Sequence, residues 1–281
     1  MEQNFQPGTG AEPTSTIEIS ISCKNLLDKD VFSRSDPMCV VYTQPWTSGQ
    51  WEEYMRTEVV WDNLNPEFAT KVKIDYRFEE EQSIRFVVYD IDKPSSNLTD
   101  HDFLGFAECT VGRVVSAGYG GLELPLSQNL GLKYSANTAV GKSKGSINLV
   151  AEELVELKEE ISFQFVGRSM GSSFLGCCRS RIFYTISKIN EAGKYILVWK
   201  SQPCPGTEPD WGVVTLSIST VCNGDKDRKL RMEFFLEGFQ GYHTSIGSVY
   251  ASVNRLVSSA GVGSESLPVQ GQDGKVRWVF C

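Results

Sequence analysis

The sequence has no apolar run near the roughly 20 residues that a spanning helix needs, so nothing in it reads as a transmembrane helix. Its first fifteen residues, MEQNFQPGTGAEPTS, carry neither a basic start nor an apolar core and are expected to be a disordered lead-in rather than a signal peptide. There is no excess of basic charge. The formal net charge is −8, which argues against a nucleic-acid footprint, since that needs a basic patch or stripe. C-x-x-C pairs are absent although eight cysteines are present, a pattern that points to reduced cytosolic thiols and not to a disulfide framework. Histidine occurs only twice, at His101 and His243. His-Glu-x-x-His and the phosphate-cradling Gly-x-x-x-x-Gly-Lys-Ser/Thr loop are both missing. These absences argue against an enzyme.

What is present is strand signal. TIEISISC, MCVVYTQ, IRFVVYD, INLVAEE, RIFYTISKI, YILVWK, VVTLSIS and KLRMEFFL are short and rich in Val, Ile, Phe and Tyr. Many alternate, and Gly, Pro, Asn or Asp clusters separate them, which predicts antiparallel β-sandwiches. AEELVELKEE (151–160) has helix-forming composition but follows a strand directly, so it reads as a connector. An internal repeat runs through the chain: FLGFAECTVGRVVS (103–116) matches SIGSVYASVNRLVS (245–258), with His101 and His243 at the same offset, and NPEF (65–68) aligns with EPDW (208–211). The expected organisation is a lead-in at 1–14, one sandwich at 15–152 and a second at 153–281.

The first copy carries two acidic loops, each beside a strong strand. One holds Asp30 and Asp36; the other runs through VVYDIDKPSSNLTDHDFLGF (87–106) and holds Asp90, Asp92, Asp100 and Asp102. Residues i and i+2 of an extended chain share a side, so Asp90 and Asp92 crowd one another unless a cation lies between them. Calcium accepts six to eight oxygens in tolerant geometry, whereas magnesium is content with one or two carboxylates and zinc prefers His or Cys. The competing reading is an ordinary solvated turn, because Asp and Asn bond their own backbone.

DVFSRSDPMCVVY, LNPEF, VYDID and DHDFLG resemble a C2 domain. With RTEVV, ECTVGRVVS and GSINLVAEEL they resemble the first C2 domain of the copines, and SKINEAGKYILVWKS and STVCNGDKDRKLR resemble the second. The resemblance implies an all-β fold of two tandem eight-stranded antiparallel sandwiches. It implies calcium-dependent docking on anionic, phosphatidylserine-like membranes, and a cytoplasmic protein recruited to the plasma membrane when calcium rises. The implied calcium ligands are Asp30, Asp36, Asp90, Asp92 and Asp102. Expected lipid contacts are Phe32 and Leu98 by insertion, Arg34 to phosphate, and Lys71 and Lys73 on a basic strip with Arg77. The strip reads first as the polar outer face of a sandwich, while the two apolar residues read equally as packing on their own loop and Arg34 equally as a solvated surface arginine.

By alignment with the first copy, Leu175, Arg181, Leu236, Gly238 and Thr244 of the second copy stand where Asp30, Asp36, Asp90, Asp92 and Asp102 stand. The second sandwich is therefore expected to have lost calcium and to serve protein contact, calcium-independent lipid contact or packing against the first half. Copines continue into a von Willebrand A-like domain with an Asp-x-Ser-x-Ser stretch, which does not occur here. The rival function is a calcium-independent adaptor made of two protein-binding sandwiches.

Overall fold

The computed structural model describes residues 14–28, 34–45, 47–128, 145–170, 180–259, 266–271 and 277–280. The expected lead-in lies outside the described residues apart from Thr14, which opens the first strand. The chain is all-β, with antiparallel pairing at every described strand contact.

The first sandwich contains β1 (Thr14–Lys24), β2 (Pro37–Gln44), β3 (Glu52–Arg56), β4 (Val72–Arg77), β5 (Ser83–Asp90), β6 (Asp102–Thr110), β7 (Leu122–Pro125) and β8 (Ser146–Glu153), with a short helix α1 (Val111–Ser116) between β6 and β7. Its two sheets run β4-β1-β8-β7 and β3-β2-β5-β6. Period-2 alternation builds them. In β1, Ile17, Ile19, Ile21 and Cys23 all enter the core, where Phe68, Phe86 and Leu104 from other elements meet them. Burial of the Cys23 and Cys39 thiols raises their pKa, which makes both inert core residues.

The second sandwich holds β9 (Glu160–Arg168), β10 (Arg181–Ile189), β11 (Tyr195–Lys200), β12 (Cys204–Pro205), β13 (Asp210–Ser217), β14 (Leu230–Leu236), β15 (Thr244–Ala251), β16 (Ser266–Val269) and β17 (Arg277–Phe280), with helices α2 (Ile218–Cys222) and α3 (Val253–Ser259). Its sheets run β11-β10-β14-β15, with the two-residue β12 attached to β10, and β13-β9-β17-β16. That edge piece makes nine described strands where eight were expected. An edge-to-face pair of Phe165 and Tyr184, with ring centroids 5.1 Å apart, lies in its core.

The repeat is structural. Cys23 N donates to Pro66 O at 2.9 Å, and Gly167 N donates to Pro209 O at 2.8 Å. Thr110 Oγ1 caps α1 through Arg113 N, as Ser252 Oγ accepts from Arg255 N at the start of α3. Gly105 and Gly247 sit at equivalent bulges with φ of +147° and +146°. A Cβ on Gly105 would lie 2.9 Å from Leu126 Cβ. Gly105→Ala is therefore expected to cost about 1–3 kcal/mol in urea unfolding, since both the backbone region and the space exclude it. Wild-type stability in that variant would remove the argument.

Residues 154–159 are a connector, not a helix. Their backbone is held from outside: Leu154 N donates to Thr16 O, Val155 N to Asn223 Oδ1 and Leu157 N to Ser219 Oγ, at 2.8, 2.8 and 2.9 Å. β8 ends at Glu153, one residue beyond the expected boundary at 152.

Charged groups lie buried between the sandwiches. Lys188 on β10 pairs with Glu18 on β1 at 3.1 Å and with Glu152 on β8 at 2.8 Å, and Arg228 pairs with Glu152 as well. Nearby, Asn190 Nδ2 donates to Tyr119 O at 2.9 Å and Lys194 Nζ to Gly120 O at 2.8 Å.

Candidate metal centre

The strand register assembles the acidic end. Pro37 pairs with Asp90 across β2 and β5, and Asp90 pairs with Asp102 across β5 and β6. Asp36 immediately precedes β2, so both acidic loops lie at the same end of one sheet. Asp36 N donates to Asp90 Oδ1 at 2.6 Å, and Asp62 N donates to Asp36 Oδ1 at 2.6 Å. A backbone N–H thus orients each of these carboxylates, as outer partners orient metal ligands. Asp90 is only 1% exposed. A buried carboxylate directly across from a second one is unfavourable as it stands, because like charges opposite each other repel.

Asp92 is exposed two residues beyond Asp90, and Asp102 is exposed at the start of β6. Asp100 instead accepts from Ser95 Oγ at 2.5 Å within its own loop. His101 is buried, with Nε2 2.9 Å from Ser95 O, so it ties the loop rather than offering a ligand. Asp30, Phe32 and, in the second copy, Leu175 lie outside the described residues. Among the described residues, no three His, Cys, Asp or Glu side chains stand in a metal-holding arrangement. The donors brought together at this end are all hard carboxylate oxygens, which suit calcium better than zinc, whose preferred ligands are His and Cys.

The expected lipid contacts divide. Leu98 is half-buried in a 3₁₀ turn, Leu98–Asp100, capped by Asn97. Arg34 has its guanidinium carbon 3.9 Å from the ring centroid of Tyr242, in the second sandwich. Lys73 is exposed on the outer face of β4. Lys71 differs: its Nζ donates to Phe68 O at 2.9 Å, and burial followed by Lys188 lowers its pKa to about 8 in spite of Glu18. Its charge turns toward the seam between the sandwiches, which makes it a poorer headgroup contact than Lys73. Its depressed pKa means the unfolded chain holds the proton more tightly between pH 8 and 10.5, so this group adds stability as pH rises through that window.

At the matching end of the second sandwich, Ile182 pairs with Leu236, and Leu236 with Thr244. Glu237 N donates to Arg181 O as Ile91 N donates to Asp36 O. Arg181, Leu236 and Thr244 therefore occupy the positions of Asp36, Asp90 and Asp102. Arg181 forms an ion pair with Glu237 at 3.2 Å. Three carboxylates are replaced by a cation, an apolar group and a hydroxyl.

The sequence profile described as C2 domain matches residues 16–126. Copine-A of Dictyostelium discoideum is 32% identical over 247 residues, which is 87% of this chain and 38% of that protein. Nicotinic receptor-associated protein 1 of Caenorhabditis elegans is 33% identical over 254 residues, 84% of this chain and 39% of that protein. The calcium-bound tandem C2 domains of extended-synaptotagmin 2 align over 95% of this chain and 94% of theirs, at 16% identity and a TM-score of 0.37. The chain spans about 38% of the length of the Dictyostelium relative. Over the stretch it shares with such relatives, with two sandwiches in tandem and the first matching C2, the chain belongs to the copine family.

Proposed function

We propose that this chain is a binding protein, not a catalyst, that docks on anionic cytoplasmic membranes through the acidic end of its first sandwich when calcium is present. The observation that carries the reading is the register that brings Asp36, Asp90 and Asp102 to one end of a sheet in a family member. Asp36, Asp90, Asp92, Asp102 and Asp30 would hold the ion. When bound, calcium supplies neutralising charge and coordination positions that accept phosphate or carboxylate oxygens of a lipid. Without it, the carboxylates repel both one another and the negative leaflet. Asp36 and Asp90 are held in place by backbone N–H groups before any ion arrives, so little order remains to be imposed there. The second sandwich, with Arg181 and Leu236 at the equivalent positions, is proposed to bind no calcium.

The test is sedimentation of the 281-residue chain with phosphatidylserine-containing vesicles, in calcium and in chelator, beside calorimetric titration of calcium in solution. The expected result is calcium-dependent pelleting and measurable heat. Absence of both would leave the calcium-independent adaptor standing instead.

A further inference from the structure

Three exposed aromatic side chains surround the acidic end, and two come from the other sandwich. Val60 N donates to Pro37 O at 3.0 Å, Asp62 N to Asp36 Oδ1 at 2.6 Å and Asn63 N to Ser35 O at 3.0 Å. This pins the 60–63 turn against Asp36 and leaves Trp61, at its tip, 63% exposed. The second sandwich brings the 238–243 turn to the same place. Gly241, at φ +71°, approaches so closely that a Cβ on it would lie 2.0 Å from Asp62 O. The Tyr242 ring receives the Arg34 guanidinium. Phe239 is 84% exposed and Tyr242 63% exposed.

We infer that the membrane-contacting surface is composite. Trp61 of the first sandwich, with Phe239 and Tyr242 of the second, enters the lipid interface beside the calcium-binding carboxylates. This rests on the docking proposed above and adds its apolar half. The sandwich without the aspartates supplies two of the three anchoring side chains, and the sandwich with them supplies the switch and Trp61. Trp and Tyr combine an apolar body with a polar edge and suit the headgroup level, while Phe suits the acyl boundary. All three project from turns, and convex tips match a deformable lipid surface better than the groove of a protein. Their carboxylate neighbours explain why the contact is withheld until a cation neutralises this end.

Phe239→Ser and Trp61→Ser in the full chain are each expected to lower calcium-dependent partition onto phosphatidylserine vesicles about tenfold, with calcium binding in solution unchanged. Phe239→Leu keeps the apolar group and is expected to bind as the parent does. Phe78 is 74% exposed in the turn before β5, at the opposite end of that strand from Asp90, so Phe78→Ser is the matched control and is expected to have no effect. Thermal melting of each variant, unchanged, shows that the fold persists. Equal pelleting of Phe239→Ser and the parent, while Asp90→Asn fails to pellet, overturns the composite surface alone. A parent chain that never pellets overturns the docking itself.

Discussion

Asp90→Asn is expected to abolish calcium-dependent vesicle binding and to weaken calcium binding in solution by at least about 100-fold. Loss of a group one shell beyond the metal already costs 10–100-fold, and Asp90 is assigned to the shell inside that. The amide is the informative replacement because it has nearly the same shape and keeps an oxygen to accept from Asp36 N. What it removes is charge, at a residue 1% exposed and directly across from Asp102. In chelator the variant is expected to melt no lower than the parent, since a repulsive cross-strand pair has been relieved. In calcium the parent should gain stability by mass action and the variant should not. That opposite response separates a binding role from a structural one. Unchanged pelleting by Asp90→Asn would sink the calcium assignment.

Lys188→Ala is expected to destabilise the protein by about 3–5 kcal/mol, the cost of breaking a buried ion pair by removing one partner. Lys188 touches two carboxylates, and among the described residues Glu18 Oε2 has no hydrogen-bond partner even in the parent. Without the ammonium, two acids remain between the sandwiches, with Arg228 and Lys71 the nearby cations among the described residues. The paired change Glu18→Leu with Lys188→Met should recover most of the loss, because similar apolar volume avoids desolvating either charge. Lys71 provides a local reporter. Lys188 is one of the groups holding its pKa down, so that pKa should rise in Lys188→Ala. Burial raises the Glu152 pKa, but Lys188 and Arg228 outweigh it and the net shift is downward. The unfolded chain therefore binds a proton more readily at Glu152. The stability this residue contributes is present above about pH 4.5 and is lost as pH falls through the folded pKa. Denaturant unfolding of both variants, with a pH series on the parent and on Lys188→Ala, measures all of this. A loss below about 1 kcal/mol in Lys188→Ala would mean that the seam is open to water.

The strands were legible because a half-buried strand must alternate, and β1 and β14 show this in single residues. The acidic end was legible as well. Asp36 and Asp90 flank strong strands, and aspartates that close together have a short list of physical reasons. The alignment of Arg181, Leu236 and Thr244 with the aspartates could be made by eye, and the strand register gives the same correspondence. Three features had no local signal. Glu18 and Lys71 occupy positions that alternation assigns to the polar outer face, and within one sandwich that assignment is sound. The second sandwich covers part of that face, and only then does Glu18 become buried and Lys71 partly so. The aromatic surroundings of the acidic end escaped for the same reason. Trp61 lies in a turn of unremarkable sequence, and Phe239 and Tyr242 lie roughly 150 residues beyond Asp90 in a loop with a single acid.

Alternation, turn residues and charge act over a few neighbours, so the order of residues alone was enough to set the strands, the repeat and the two acidic loops. Which charges are desolvated, and which apolar tips stand beside the aspartates, depends on how two separately built sandwiches pack. That packing arises from contacts between residues as distant in the chain as Glu18 and Lys188, whose partnership no short-range pattern encodes.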